Sequence, residues 1–207
     1  MLVASGQNPA DNVFLNVPYD RKFERLLLAL IAGTTAFGLV PRATLEIASS
    51  SRRLDRIVKL IGRCRYSIHD LSRVELDRRA PCTPRFNMPF ELGLAVAVHK
   101  LRSKNDQHWF VCESQNFRLM KSLSDLNGTD PFIHDGSVGG VFRELCNMFR
   151  RLSGRQPTVQ QMWKVYRELR RSLPTILKEA GSQSMFTARV FKDLCVAANA
   201  SASVPIR

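Results

Sequence analysis

Short β-prone runs alternate with longer segments of helical period over the first 112 residues, and this alternation constrains the fold more than any other feature. Asn12 to Asn16 reads as a buried strand, with a polar break at Pro18-Tyr19-Asp20 immediately after it. Asp20 is placed to cap a helix on which Phe23, Leu26, Leu27, Leu30, Ile31, Thr34 and Phe37 recur at three-and-four spacing, stopped by Gly38. Leu39 to Leu45 is a second strand, and Pro41 assigns it to an edge or a strand start. A helix from about Arg53 to Cys64, a strand from Tyr66 to Leu71, a helix from Met88 to about Leu101 and a strand from His108 to Cys112 continue the pattern. Strands that alternate with helices make parallel sheets covered on both sides. The expected fold is therefore α/β, a flavodoxin-like doubly wound parallel sheet.

Beyond Asn116 the pattern is less regular. It predicts a short helix near Arg118 to Leu123, turns from Asp125 to Pro131, a last strand at Phe132 to Ile133 and an amphipathic helix from Val138 to Leu152. Ser153 to Pro157 reads as a linker, followed by helices from Thr158 to Ser172, Leu173 to Ala180 and Thr187 to Ala198. At 207 residues the chain can bury one sizeable core and carry a helical appendage. The expected organisation is a tail over residues 1–11, an α/β domain over 12–152 and a C-terminal helical extension over 158–200.

The stretch from Arg63 to Leu101 carries the densest chemistry. A strand ends in Ser67, His69 and Asp70, and the next helix opens with Asn87 as the expected cap and Glu91 in its first turns. Glu91 interrupts an otherwise apolar helix start, a costly place for a carboxylate unless amides, a ligand or a cation stabilise it. In an open α/β sheet, ligands collect beyond the carboxyl ends of the strands. A carboxylate there can stabilise an oxocarbenium-like sugar cation, attack it or bind ribose hydroxyls. Strand alternation points His69 and Asp70 to opposite faces, and Asp70 is the better candidate to orient ribose beside Glu91.

Asn16 and Tyr19 end the first strand, before helix amides that can receive a phosphate. Arg42 can reach a phosphate, and Glu46 faces the same pocket or closes a loop. With Ser67, His69 and Asn87 these residues complete the expected nucleotide-binding set. The first strand is followed by no glycine-rich turn, which counts against a standard P-loop NTPase or a Rossmann dehydrogenase. No histidine pair has metal-ligand spacing, so neither metal nor cofactor is expected.

A formal charge of +13 and a pI near 10.2 favour polyanions as partners. The arginine-rich run from Arg143 to Lys178, with Trp163 and Tyr166 interspersed, keeps nucleic acid among the partner classes, although its spacing fits a helical hairpin with a basic outer face better. The five cysteines are scattered without a CxxC, which suits reduced thiols in a cytoplasmic protein. The N-terminus lacks the features of a secretory signal, and Leu26 to Ala32 and Leu92 to Val98 are too short to span a bilayer, so no membrane partner is expected.

Val-Phe-Leu-Asn-Val-Pro-Tyr-Asp (13–20), Pro-Arg-Ala-Thr-Leu-Glu (41–46), Cys-Arg-Tyr-Ser-Ile-His-Asp-Leu-Ser-Arg (64–73) and Pro-Arg-Phe-Asn-Met-Pro-Phe-Glu-Leu-Gly (84–93) resemble a group of bacterial TIR-like proteins over roughly residues 12–135. Glu91, Gly93 and Ala95, after the strand ending in Asp70, also look like the related nucleoside 2-deoxyribosyltransferases. Both families use a helix-borne glutamate on an N-glycosidic bond. The resemblance implies that Glu91 acts on the ribosyl bond of NAD or a related nucleotide as substrate, that the protein self-associates as a homo-oligomer, and that it serves as a bacterial defence effector. Asn87-Met88-Pro89-Phe90 stands where TIR enzymes commonly carry a Trp-Cys pair.

Overall fold

A computed structural model of the protein describes residues 11–47, 52–74, 76–77, 80, 82–101, 107–126, 128–150 and 156–203. In chain order the elements are β1 (Asn12–Asn16), α1 (Glu24–Ala36), β2 (Val40–Ala43), α2 (Arg53–Gly62), β3 (Tyr66–Asp70), β4 (Leu76–Asp77), β5 (Thr83–Pro84), α3 (Asn87–Leu101), β6 (His108–Glu113), α4 (Arg118–Ser122), β7 (Phe132–Ile133), α5 (Val138–Met148), α6 (Val159–Ala180) and α7 (Ala188–Ala202). The main sheet has the order β2-β1-β3-β6-β7, and every neighbouring pair is parallel. Counted within this sheet the order is 2-1-3-4-5, the flavodoxin-like doubly wound plan. Pro41 sits on the edge strand β2, where its missing amide leaves no inner ladder bond unmade. β4 and β5 form a separate two-residue antiparallel pair.

Strand alternation sorts the core. Phe14 and Val111 pack under α2 and α3, whereas Val13, Leu15, Tyr66, Ile68 and Cys112 join the larger cluster on the other face. Registers Phe14↔Ser67, Asn16↔His69 and His69↔Val111 put Asn16, Ser67 and His69 on the α2–α3 face. Asp70, two residues after Ile68, belongs to the opposite face.

The spacing in α1 predicted one apolar face, yet every residue from Leu26 to Ala36 is buried. The sheet covers one side, and α5, α6 and α7 cover the rest. A helix apolar all round needs such a double cover. The C-terminal extension therefore completes the core: Met162, Val165, Leu169, Val190, Phe191 and Leu194 share a cluster with α1. Each such side chain contributes about 1.5–3 kcal/mol by leaving water.

Two expected helices, 158–172 and 173–180, are one, with Pro174 inside α6. Proline removes a donor to the carbonyl four residues earlier. Here Arg170 and Pro174 are both exposed, while Leu169 and Ile176 hold the helix to the core. Trp163 and Tyr166 pack edge-on against Phe142, with ring centroids 5.2 and 6.2 Å from it, and serve the core as aromatic spacers. The tail at 1–10 and most of the predicted linker, 153–155, lie outside the described residues. Among the described residues no helix is long and apolar enough to cross a membrane.

Candidate functional site

Strand order reverses between β1 and β3, and the crevice beyond their carboxyl ends is where this architecture holds ligands. A cleft of about 720 Å³ opens there, lined by the β1–α1 loop, Thr44, Arg53 at the start of α2, the loop around β5, and the first turns of α3. That volume falls within the range of small-molecule sites. Asn16, Tyr19, Asn87 and Glu91, four of the residues expected from sequence, line it.

Glu91 is buried on α3, and its carboxylate accepts no hydrogen bond from a described residue. Burial pushes its pKa up to about 7, with the positive charge of Arg53 pulling partly the other way. Asn87 is exposed and already helical; the Phe90 amide donates to the Phe86 carbonyl, so the cap position falls on Phe86 instead. Met88 and Leu92 turn inward to a small apolar cluster with Val111, which fixes the rotation of α3 and leaves Glu91 at the cleft.

Asn16 ties this helix to the sheet. Its Nδ2 donates to the Met88 carbonyl and to His69 Nδ1, both at 2.8 Å. His69 is fully buried, and burial drives its pKa down to about 3, so the ring is neutral with its proton on Nε2. Nε2 meets no acceptor among the described residues. Tyr19 and Thr44 pair their hydroxyls at 2.9 Å; burial, aided by Glu91, raises the tyrosine pKa despite the Thr44 bond and keeps the phenol protonated.

Asp20 does not cap α1, whose N-cap position is Phe23. Its Oδ2 accepts from Arg73 Nε and Arg85 Nη1, each at 2.7 Å, and so fastens the β1–α1 loop to the segments after β3 and β5. Arg85 and Arg53 bring positive charge to the cleft wall. Arg53 was not among the expected site residues, although helix starts in a doubly wound fold lie beside strand ends and its place at the head of the second helix marked it.

The other expected residues lie elsewhere. Asp70 is buried, with Oδ2 2.9 Å from His134 Nε2 and Oδ1 accepting from the Ser72 amide. It lies outside the cleft lining, so the structure does not bring it together with Glu91; the sheet face on the α3 side carries His69 instead. His134 accepts the Gly136 amide at Nδ1; burial opposes its charged form, but Asp70, Glu113 and Asp135 outweigh burial and raise its pKa. Ser67 is buried under α2 and α3 with no partner for its hydroxyl among the described residues. Arg42 and Glu46 bond each other, with both carboxylate oxygens 3.0 Å from Nε, and line a second cavity of about 510 Å³ against Phe191, Lys192 and Cys195 of α7. Neither lines the cleft that holds Glu91.

Fold and site together define an α/β protein of flavodoxin-like plan with an acid-bearing cleft at its switch point. No family model, curated protein or solved structure matches the chain.

Proposed function

We propose that the cleft takes a nucleotide, NAD or a derivative, and that Glu91 promotes cleavage of its ribosyl N-glycosidic bond. The observation that carries this reading is a buried carboxylate with no hydrogen-bond donor among the described residues, facing a cleft with Arg53 and Arg85 in its walls. A group with a pKa near 7 is protonated in about half of the empty molecules at neutral pH, and positive charge beside it favours ionisation. As the C1′–N bond breaks, its electron pair leaves with the base and positive charge develops on the ribose. The Glu91 carboxylate stabilises that charge, then accepts a proton from the water that adds to C1′. Arg53 and Arg85 suit the phosphates, and the Tyr19–Thr44 hydroxyl pair suits ribose oxygens. The TIR-like and deoxyribosyltransferase-like resemblance of residues 84–93 agrees with this use of Glu91.

The test is release of nicotinamide from NAD, or of free base from deoxynucleosides, by concentrated wild type and Glu91→Gln. Charge on Glu91 matters most in the transition state, so the variant should lose turnover by orders of magnitude and keep its nucleotide affinity. Equal release by both proteins would end the assignment. Nucleotide binding without release by wild type would replace the enzyme with a nucleotide sensor at the same cleft.

A further inference from the structure

Arg52, Arg56, Lys59 and Arg63 follow one another along α2 and its ends at intervals of four, three and four residues, which brings them to one side of the helix. All four are exposed, and none forms an ion pair with a described residue. With a rise of about 1.5 Å per residue, the cations span about 16 Å. Asp55 is the one acid in the sequence between Arg52 and Arg65. This is a cationic track with little internal neutralisation.

The neighbouring helix adds a second, independent feature. Phe86 and Phe90, one helical turn apart at the start of α3, are 64% and 54% exposed. α3 packs beside α2 through Ala95, Ile57 and Ile61, and the cleft brings Phe86 together with Arg53 and Arg85. Cations that track a backbone beside exposed rings are the elements of single-strand recognition, in which phosphates pair with the cations and bases stack on the rings. α6, the other basic helix, lacks the second element because Trp163 and Tyr166 are packed into the core.

We propose that α2 and the start of α3 form a binding site for single-stranded nucleic acid, with Arg52, Arg56, Lys59 and Arg63 on the phosphates and Phe86 and Phe90 under the bases. The four cations and Phe90 lie outside the lining of the Glu91 cleft, which the proposed site shares only at Phe86, so loss of oligonucleotide binding would leave that reading untouched.

Fluorescence anisotropy with a labelled oligothymidylate, repeated across a salt titration, tests the proposal. Four phosphate contacts on a single strand give a slope of log K against log salt of about −3. Arg56→Gln, Lys59→Gln and Arg63→Gln combined should make that slope shallower by about 2. Phe86→Ala with Phe90→Ala should weaken binding roughly tenfold or more and leave the slope unchanged. The matching triple on α6, Arg167→Gln, Arg170→Gln and Lys178→Gln, removes the same charge and should change neither quantity. A salt-independent affinity, an equal loss from the α6 triple, or capture by phosphatidylserine vesicles with no retention of the oligonucleotide would overturn the proposal.

Discussion

The side-chain amide of Asn16 lies 2.8 Å from Nδ1 of His69, and its other hydrogen bond, to the Met88 carbonyl, pins the first turn of α3 to the switch point of the sheet. Glu91 stands one turn of helix beyond that anchor, so its position depends on Asn16. Asn16→Ala leaves the buried His69 Nδ1 without its donor and removes the tie to the Met88 carbonyl, which keeps only its helical partner. The expected loss is about 1–3 kcal/mol in urea denaturation, the usual cost of orphaned buried groups. Turnover at the cleft should fall with it. An unchanged denaturation midpoint would show that α3 needs no such anchor.

Glu91 itself should make stability depend on pH. Its pKa is raised from 4.5 to about 7, so between these values the native state binds more protons than the unfolded chain. Stability therefore falls as pH rises through that window, by up to about 3 kcal/mol. Glutamine carries no charge to desolvate. Glu91→Gln should match wild type near pH 4 and exceed it in stability near pH 8, values that bracket the window by about one unit or less. Parallel curves for the two proteins would mean that solvent in the cleft already serves the carboxylate.

Much of this architecture was legible because the local signals agreed. The strand at Asn12 to Asn16, the stop at Gly38 with its φ of +81°, and the edge position implied by Pro41 each follow from one residue's backbone requirements. The lining of the candidate cleft was legible at Glu91, Asn16, Tyr19 and Asn87, which sit where strands end or a helix begins. At the end of β3, alternation told that His69 and Asp70 oppose each other without telling which side α3 would cover. That side is settled by the packing of Met88 and Leu92, a tertiary event. Arg42 and Glu46 line a different cavity, against α7 about 150 residues later in the chain, whose docking no local pattern near β2 announces.

The Asp20 clamp should govern stability at acid pH. Burial raises the cost of its charge, yet Arg73 and Arg85 outweigh burial and hold its pKa below the ordinary 3.8. A depressed carboxyl contributes stability above its unfolded pKa and loses it as pH falls through the folded value. Asp20→Asn should therefore cost about 1 kcal/mol at neutral pH, a modest figure because all three side chains reach solvent. Near pH 2, about two units below the usual carboxylate range, the difference should vanish. Urea midpoints measured at both pH values check this, and a difference that persists in acid would point to lost packing instead of lost charge.

Asp70→Ala separates scaffold from site. The carboxylate holds His134 Nε2 and the Ser72 amide, and all three residues are buried. Removing one member of a buried charged pair typically costs about 3–5 kcal/mol, because the partner stays desolvated without compensation. Asp70→Asn keeps one oxygen, for the imidazole N–H or the Ser72 amide, and turns an NH2 toward the other donor, so it should cost less than alanine but still about 1–3 kcal/mol. Domains of this kind are stable by only about 5–15 kcal/mol, so the alanine variant should show a sharply lower urea midpoint. Nucleotide affinity of its folded fraction should hold, since Asp70 lies outside the cleft lining on the opposite face of the sheet. The reverse result, an intact midpoint with lost affinity, would return Asp70 to the site and show that its contact with His134 is dispensable.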